Sequence, residues 1–240
     1  MLLVDGAPVA SGARIRVLVP AYNEARRVGA VVAAARRYAQ VLVVDDGSAD
    51  DTAEQAELAG ARVWRQEPNQ GKGAALRAGF RLALQDNCQA VVTLDADGQH
   101  DPTEIPNFLA AFSERAADLI IGARDFSEMP LTRRVANTVG RWSFSWALGT
   151  PVRDNQSGYR LLSSRLMEAV LDSSEQGFEF EVEMIVQCLA RRYALEWVPI
   201  RTIYGDQGSH IRPWHHTVNF FRVVWQTRRA RTRRQSGHNA

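Results

Sequence analysis

Three short, largely apolar runs that end in polar and mostly acidic residues constrain the fold of this chain more than any other feature. The runs cover residues 15–19, 41–44 and 90–94, and Pro20, Asp45 and Asp95 follow them. Continuous apolar runs indicate strands that are covered on both faces, which is typical of a parallel α/β sheet. Ligands of such sheets bind outside the carboxyl ends of the strands, so the three polar tips should share one crevice.

The tip with the most specific chemistry is Asp95-Ala96-Asp97. In an extended segment, residues i and i+2 point the same way. Two carboxylates placed in this way repel each other unless a cation lies between or beside them. Mg²⁺ or Mn²⁺ would suit the site, because both take oxygen ligands and usually bridge to substrate phosphates. Gln99 adds a neutral oxygen, although a solvated turn would also favour aspartate and glycine.

Strands and helices alternate along the chain without repeats or an internal linker, which predicts one main domain. We expect a flexible extension over residues 1–13, the main domain over 14–212 and a basic amphipathic helix and tail over 213–240. Asn23 is the predicted cap of the first helix. The periodicity predicts helices over 25–38, 51–59, 73–84, 102–116, 132–148 and 179–193. Further strands are predicted over 62–65, 118–122, 159–162 and 195–203.

Two common nucleotide-binding motifs are absent from the expected positions. The turn after the first strand, residues 20–24, contains no glycine, which argues against a dinucleotide fold. Residues 71–73 lack the upstream glycine and the hydroxyl of a P-loop. The segment 69–73 is either an anion site at a helix N-terminus or a glycine-rich turn with an exposed lysine. Its Lys72 is the only lysine of the chain.

The two cysteines, Cys88 and Cys188, have neither metal-ligand nor redox spacing. They are therefore predicted to be reduced core residues of a cytosolic protein. No apolar run reaches the length of about 18 residues that a membrane span needs.

Four segments together resemble a known family. They are Pro20–Glu24, Val44–Ser48, Asp95–His100 and Asp154–Arg160, in this order and spacing. The chain resembles the family 2 glycosyltransferases with the GT-A fold, from about Ile15 to about Trp214. Within that family it is most similar to the polyprenyl-phosphate enzymes, typified by dolichyl-phosphate mannosyl- and glucosyltransferases. The resemblance implies an α/β fold with a single Rossmann-like, mostly parallel sheet, flanking helices and an irregular acceptor-side C-terminal part.

The resemblance also implies a sugar nucleotide donor, GDP-mannose or UDP-glucose, and a Mg²⁺ or Mn²⁺ ion bound by Asp97 and Gln99. The implied catalytic residues are Asp95, Asp97, Asp154 and Arg124. The implied nucleotide-sugar residues are Pro20, Tyr22, Glu24, Val44, Asp46, Asp95, Ala96, Asp97 and Arg124.

Two of these residues have structural alternatives. Arg124 would offset charge on the leaving diphosphate, or it would form a surface salt bridge with Asp125 or Glu128. Asp154 would orient the acceptor or act as a base, or it would form a buried ion pair with Arg160.

The implied acceptor is a polyprenyl phosphate, to which a hexose would be transferred with inversion. A phosphate monoester is already anionic at neutral pH, so it needs cations more than a strong base. The basic residues that match the acceptor region are Arg133, Arg134, His210 and Arg212, and the choice between Arg133 and Arg134 stays open. One alternative is a saccharide hydroxyl acceptor, for which Asp154 would be an essential base. Another is a non-catalytic nucleotide-sugar-binding subunit of a membrane complex.

The segment 214–234 interleaves aromatic residues with arginines. Such a helix can lie in a membrane interface, where basic residues attract anionic lipid. We therefore expect a peripheral protein on the cytoplasmic membrane face, with a membrane-anchoring partner or self-association as further options. The alternative is a terminal helix packed on the core with a solvated basic tail. A basic tail alone is weak evidence for nucleic-acid binding, so no nucleic-acid partner is expected.

Overall fold

The computed structural model describes residues 14–124, 138, 142–146, 148–154, 157–171 and 179–201, without the side chain of Glu179. A seven-stranded sheet runs through them in the order β3-β2-β1-β4-β6-β5-β7. The strands are β1 Ile15–Ala21, β2 Gln40–Asp45, β3 Arg62–Arg65, β4 Ala90–Thr93, β5 Leu119–Arg124, β6 Arg160–Ser163 and β7 Leu195–Ile200.

One strand, β6, runs antiparallel to both of its neighbours, and the other neighbouring pairs are parallel. The sheet is therefore mostly parallel. The carboxyl ends of β1, β2, β4 and β5 meet the amino end of β6 at one edge, which we name the carboxyl edge. This topology collects polar residues from distant parts of the sequence.

Helices cover both faces of the sheet. They are α1 Val28–Ala35, α2 Thr52–Leu58, α3 Lys72–Gln85, α4 Ile105–Arg115, α5 Ser164–Leu171 and α6 Glu179–Ala190, with a 3-10 turn, Pro102–Glu104, before α4. Val17 and Val19 pack in a cluster with α1, α2 and α4, whereas Leu18 packs in another with α3, α5 and α6. This alternation along β1 follows from the two-residue period of a strand. Both cysteines are reduced and buried, as expected.

Most predicted elements are present within the described ranges, with two differences. The helix α5 was not predicted. Asn23 does not cap α1: the helix begins at Val28, and Asn23 has a φ of 55°. Its side chain instead accepts a hydrogen bond from the Ala49 amide at 2.8 Å. The expected extension 1–13 and tail 213–240 lie outside the described residues, as does most of the segment 132–148. None of the helices in the described ranges is long and apolar enough to span a bilayer.

A buried carboxylate, Asp118, ties three elements together beside β5. It accepts hydrogen bonds from the Ser163 hydroxyl at 2.8 Å and the Ala194 amide at 3.0 Å, and it forms an ion pair with Arg165. Burial raises the pKa of Asp118, but the donors from Arg165, Ser163 and Ala194 lower it more, so the pKa lies below its ordinary value. Asp118 therefore stabilises the junction of β5, β6 and β7 in its charged form.

We expect Asp118→Asn to lower the free energy of unfolding by about 2 kcal/mol at pH 7, because the amide mismatches buried donors. The ionised carboxylate contributes fully above the ordinary carboxyl pKa of about 3.9, and its contribution is lost as pH falls through the lower folded-state pKa. The difference between wild type and variant should therefore shrink on acidification. Urea unfolding at several pH values measures it, with the exposed Glu57→Gln as control. A pH-independent difference would contradict this assignment.

Candidate functional site

The loops that follow β1 and β2 are cross-linked at the carboxyl edge. The Asn23 amide donates to the Ser48 hydroxyl at 2.9 Å, and the Glu24 amide donates to the Thr52 hydroxyl at 2.8 Å. Tyr22 projects from this region with 50% of its surface exposed. The Glu24 carboxylate lies 3.0 Å from Arg27. The two loops are therefore tied to each other, and the half-exposed Tyr22 lies beside these contacts.

Pro20 and Val44, at the ends of β1 and β2, are buried, and Asp46 is 3% exposed. The Asp46 carboxylate accepts hydrogen bonds from the Gln70 amide at 2.9 Å, the Gly71 amide at 2.7 Å and the Gln66 side chain. The family resemblance implies that Asp46 is a nucleotide-sugar residue. In this structure its carboxylate organises the loop 66–71, which leads directly into α3.

The next turn, at Gly47, shows why glycine is required there. Gly47 has a φ of 75°, and a Cβ at this position would lie 3.0 Å from the Asn69 amide nitrogen. Asp45 closes the turn by accepting from the Ser48 amide at 3.0 Å. The close approach lets the loop after β3 pack against the end of β2.

The acidic tip of β4 lies against a lysine that the sequence treats as an exposed or anion-binding residue. The Lys72 Nζ is 2.6 Å from Asp95 Oδ1 and 2.8 Å from Glu181 Oε1. Glu181 comes from α6, and its side chain is 4% exposed. The sequence predicts a cation beside the two aspartates of the tip. For Asp95, the ammonium group of Lys72 is that cation.

The electrostatic interactions among Asp95, Lys72 and His100 shift the pKa of each of these side chains. Burial raises the pKa of Asp95, but Lys72 and His100 more than offset that effect and bring the pKa to about 2. Burial lowers the pKa of Lys72, but Asp95 and Glu181 raise it above its ordinary value. Burial also lowers the pKa of His100, whose Nδ1 accepts from the Asp95 amide at 3.1 Å. At neutral pH Asp95 is charged and His100 is neutral.

Asp97 differs from Asp95 in its surroundings. Asp97 Oδ1 accepts from the Gln99 amide at 2.9 Å, and the Gln99 side chain is exposed, while Ala96 between the two aspartates is buried. None of the ion pairs among the described residues involves Asp97. Asp97 itself is half-buried.

The oxygen ligands that residues 95–99 offer fit a divalent ion such as Mg²⁺ or Mn²⁺ only in part. Within the described ranges, no group of three or more histidine, cysteine or acidic residues could hold a metal. Asp97 and Gln99 offer one carboxylate and one amide oxygen. Mg²⁺ commonly binds through one or two carboxylates and completes its shell with waters and substrate phosphates. The residues fit an ion that arrives with a phosphate ligand, rather than a permanent metal cage.

Arg124 and Asp154 form a second charged pair at this edge. Arg124 Nε is 2.6 Å and Nη2 is 3.0 Å from the two carboxylate oxygens of Asp154, which is 1% exposed. Such a two-point pair fixes the plane of the guanidinium. The sequence also allows a buried ion pair between Asp154 and Arg160. In the structure, the pair described here joins Asp154 to Arg124 instead. Arg160 is itself buried and donates to the backbone oxygens of Ser157 and Glu181.

The structure thus brings the predicted donor-side residues and Asp154 to one edge. The predicted acceptor residues Arg133, Arg134, His210 and Arg212 lie outside the described residues. Sequence reasoning missed the bridge from Lys72 to Glu181. One signal was available: Glu181 is three, four and seven residues from Met184, Ile185 and Cys188, so it lies on the apolar face of α6.

Comparison with known proteins agrees with this geometry. A family model described as Glycosyl transferase family 2 matches residues 16–167. The undecaprenyl-phosphate mannosyltransferase of Micrococcus luteus is 32% identical over 214 residues, covering 82% of this chain and 86% of that protein. The polyprenol monophosphomannose synthase of Mycolicibacterium smegmatis is 31% identical over 220 residues, covering 85% of this chain and 83% of that protein.

A solved structure also shares the architecture. Glucosyl-3-phosphoglycerate synthase from Mycobacterium tuberculosis, in complex with Mn²⁺, uridine diphosphate and phosphoglyceric acid, superposes with a TM-score of 0.72 at 22% identity. The match covers 91% of this chain and 78% of that one. It confirms the mostly parallel α/β architecture of the GT-A fold that the sequence predicts.

The role of Asp46 in ordering the loop 66–71 can be tested directly. We expect Asp46→Asn to make the Gln70 and Gly71 amides exchange with solvent at least about tenfold faster, because one acceptor oxygen is replaced by a donor. Hydrogen exchange followed by NMR measures these amides. Asp51→Asn is the matched control, since the Asp51 side chain makes no capping hydrogen bond. Unchanged protection of Gln70 and Gly71 would contradict the assignment.

Proposed function

The chain belongs to glycosyl transferase family 2, and we propose that it transfers a hexose from a sugar nucleotide to a polyprenyl phosphate. The proposed donor is GDP-mannose or UDP-glucose, and the proposed outcome is inversion at the anomeric carbon. Membership of the family makes the protein a glycosyltransferase. The identity of its donor and acceptor is the proposal.

The similarity to polyprenyl-phosphate mannosyltransferases supports this acceptor class. Two such relatives are 31% and 32% identical to the chain over more than four fifths of its length. The chain also spans 83% and 86% of their lengths. The likeness therefore extends well beyond the nucleotide-binding half, which all sugar nucleotide enzymes need.

The single observation that favours a phosphate acceptor over a hydroxyl is the pairing of Asp154. A hydroxyl acceptor needs a general base within reach of its proton. Asp154, the residue proposed for that role, is buried and bound at two points by Arg124. Glu181 is also buried and bound by Lys72. A phosphate monoester carries its own negative charge, so its oxygen can attack without a base.

In the proposed mechanism each residue has a separate task. Asp95, with its negative charge maintained, accepts hydrogen bonds from hydroxyl groups of the ribose or the sugar. Tyr22 and the surrounding loops contact the base. Asp154 holds the guanidinium of Arg124 toward the diphosphate, where it offsets charge on the leaving group. A Mg²⁺ or Mn²⁺ ion held by Asp97 and Gln99 would act there as a Lewis acid.

A membrane surface is the proposed location of the acceptor. Trp142 and Trp146 are four residues apart in a helical segment and are 69% and 57% exposed. Tryptophan is enriched where protein meets the membrane interface. Ser145 of the same segment accepts from the Val152 amide at 3.0 Å, just before Asp154. The two tryptophans therefore support contact between the acceptor side and lipid, together with the aromatic and basic segment 214–234.

Transfer of label from each donor to polyprenyl phosphate tests the reaction. We expect radiolabel from GDP-mannose or UDP-glucose to enter an organic-extractable product with Mg²⁺ or Mn²⁺. Asp97→Ala should reduce the rate by at least about 100-fold, because charge stabilisation at the leaving group is lost. Glu114→Ala, an exposed carboxylate on α4, is the control.

Each outcome of this assay has a defined meaning. Label that enters a water-soluble saccharide instead would contradict the phosphate acceptor and would favour a hydroxyl acceptor. Metal-dependent nucleotide binding without transfer from any donor would favour a binding subunit.

Membrane attachment can be tested by co-sedimentation with vesicles that contain anionic lipid. We expect the double variant Trp142→Ala/Trp146→Ala to bind vesicles more weakly, and a chain that ends at Arg212 to lose most of its binding. Trp64→Ala is the matched control, because Trp64 is half exposed on the edge strand β3. Full co-sedimentation of the shortened chain would contradict attachment through the C-terminal segment.

A further inference from the structure

Lys72 is exceptional in this chain. It is the only lysine among 29 basic residues, so every other basic side chain of this set is arginine. It begins α3, directly after the loop that Asp46 organises. Its Nζ bridges Asp95 at 2.6 Å and Glu181 at 2.8 Å. A residue type used once, at the meeting point of two carboxylates, suggests a specific role.

Four separate segments enclose this bridge. Lys72 comes from α3, Asp95 from the loop after β4, and Glu181 from α6. The fourth is the segment before β6, where a Cβ on Gly158 would lie 2.9 Å from Lys72 Nζ and 2.9 Å from Asp95 Oδ2. The backbone at Gly158 therefore lies directly against the ion pair. The Gly158 backbone bounds the ammonium on one side, and 28% of each of the Lys72 and Asp95 side chains is exposed.

The geometry explains the use of lysine rather than arginine. An ammonium is a compact charge with three donors, whereas a guanidinium is planar and presents its donors in a fixed fork. Two carboxylates that approach from different elements suit the ammonium. The close backbone at Gly158 would oppose the larger guanidinium.

We propose that Lys72 is a positioning residue for the sugar nucleotide: it fixes the Asp95 carboxylate, and Glu181 is the counter-charge that holds the ammonium in place. This inference rests on the proposed function, because it assigns Asp95 to the donor. Asp95 and Asp97 would otherwise present two adjacent negative charges to an anionic diphosphate. With Lys72 in place, Asp97 is left to face the incoming phosphates and ion.

The single lysine makes a direct spectroscopic test possible. In the full chain labelled with [ε-¹³C]lysine, one Cε signal is expected, and it belongs to Lys72. We expect saturating UDP or GDP with Mg²⁺ to shift this signal. We expect Mn²⁺ with the same nucleotide to broaden it, because unpaired electrons relax nearby nuclei. Asp95→Asn should move the signal of the nucleotide-free protein, whereas Glu57→Gln should leave it unchanged.

Calorimetry on the same samples separates two kinds of failure. Metal-dependent nucleotide binding with an unchanged Lys72 signal would overturn this inference and leave the proposed function standing. Failure of both nucleotides to bind with either ion would overturn the proposed donors, and the inference with them. The nucleotide-binding measurements use the wild-type chain, so their outcome does not depend on whether a variant folds.

A double-mutant cycle tests the action of Lys72 through Asp95. We expect Lys72→Met and Asp95→Asn each to lower kcat/KM for the donor at least tenfold. The double variant should be no more than about threefold worse than the poorer single one, because both remove the same interaction. Arg81→Met, on the exposed face of α3, is the control for loss of a cation. Losses that multiply in the double variant would overturn the inference.

Discussion

The carboxylates at the carboxyl edge need partners, and this constraint governs how the site is built. A buried charge is strongly unfavourable unless it is paired or hydrogen-bonded. Asp46 is satisfied by loop amides, Asp95 by Lys72 and Asp154 by Arg124. Each pairing connects segments far apart in sequence, so charge satisfaction also fixes the loops. Asp97, the other aspartate of the tip, takes part in none of the ion pairs among the described residues.

The same pairing limits the chemistry of the edge. A carboxylate held at two points by a guanidinium, as Asp154 is by Arg124, already has a hydrogen-bond donor on each of its two oxygens. The arrangement is better suited to hold cations toward phosphate groups than to remove a proton. It therefore supports the proposal of a phosphate acceptor, which is the acceptor class that the names of two relatives give for those proteins.

Much of the fold could be predicted because the apolar runs are strong local signals. Strands β1, β2 and β4 follow continuous hydrophobic stretches, and α3 and α4 follow clear helical periodicity. The short helix α5 was missed, since its eight residues follow β6 without a break. Its start signal is Ser163, whose hydroxyl accepts from the Leu166 amide at 3.3 Å. The Asn23 cap was wrong because tertiary contact with Ala49 gave that side chain a better partner.

By itself, the sequence determined the α/β class, the acidic tips and the family, because each depends on short segments whose pattern is local. It also predicted site roles for Asp95, Asp97, Arg124 and Asp154. Only the tertiary structure decided which charged side chains form ion pairs with each other. Lys72 meets Glu181 across more than a hundred residues, and Arg124 meets Asp154 because β6 enters the sheet between β4 and β5. Such contacts arise from chain topology, and no local pattern encodes the distance between two side chains.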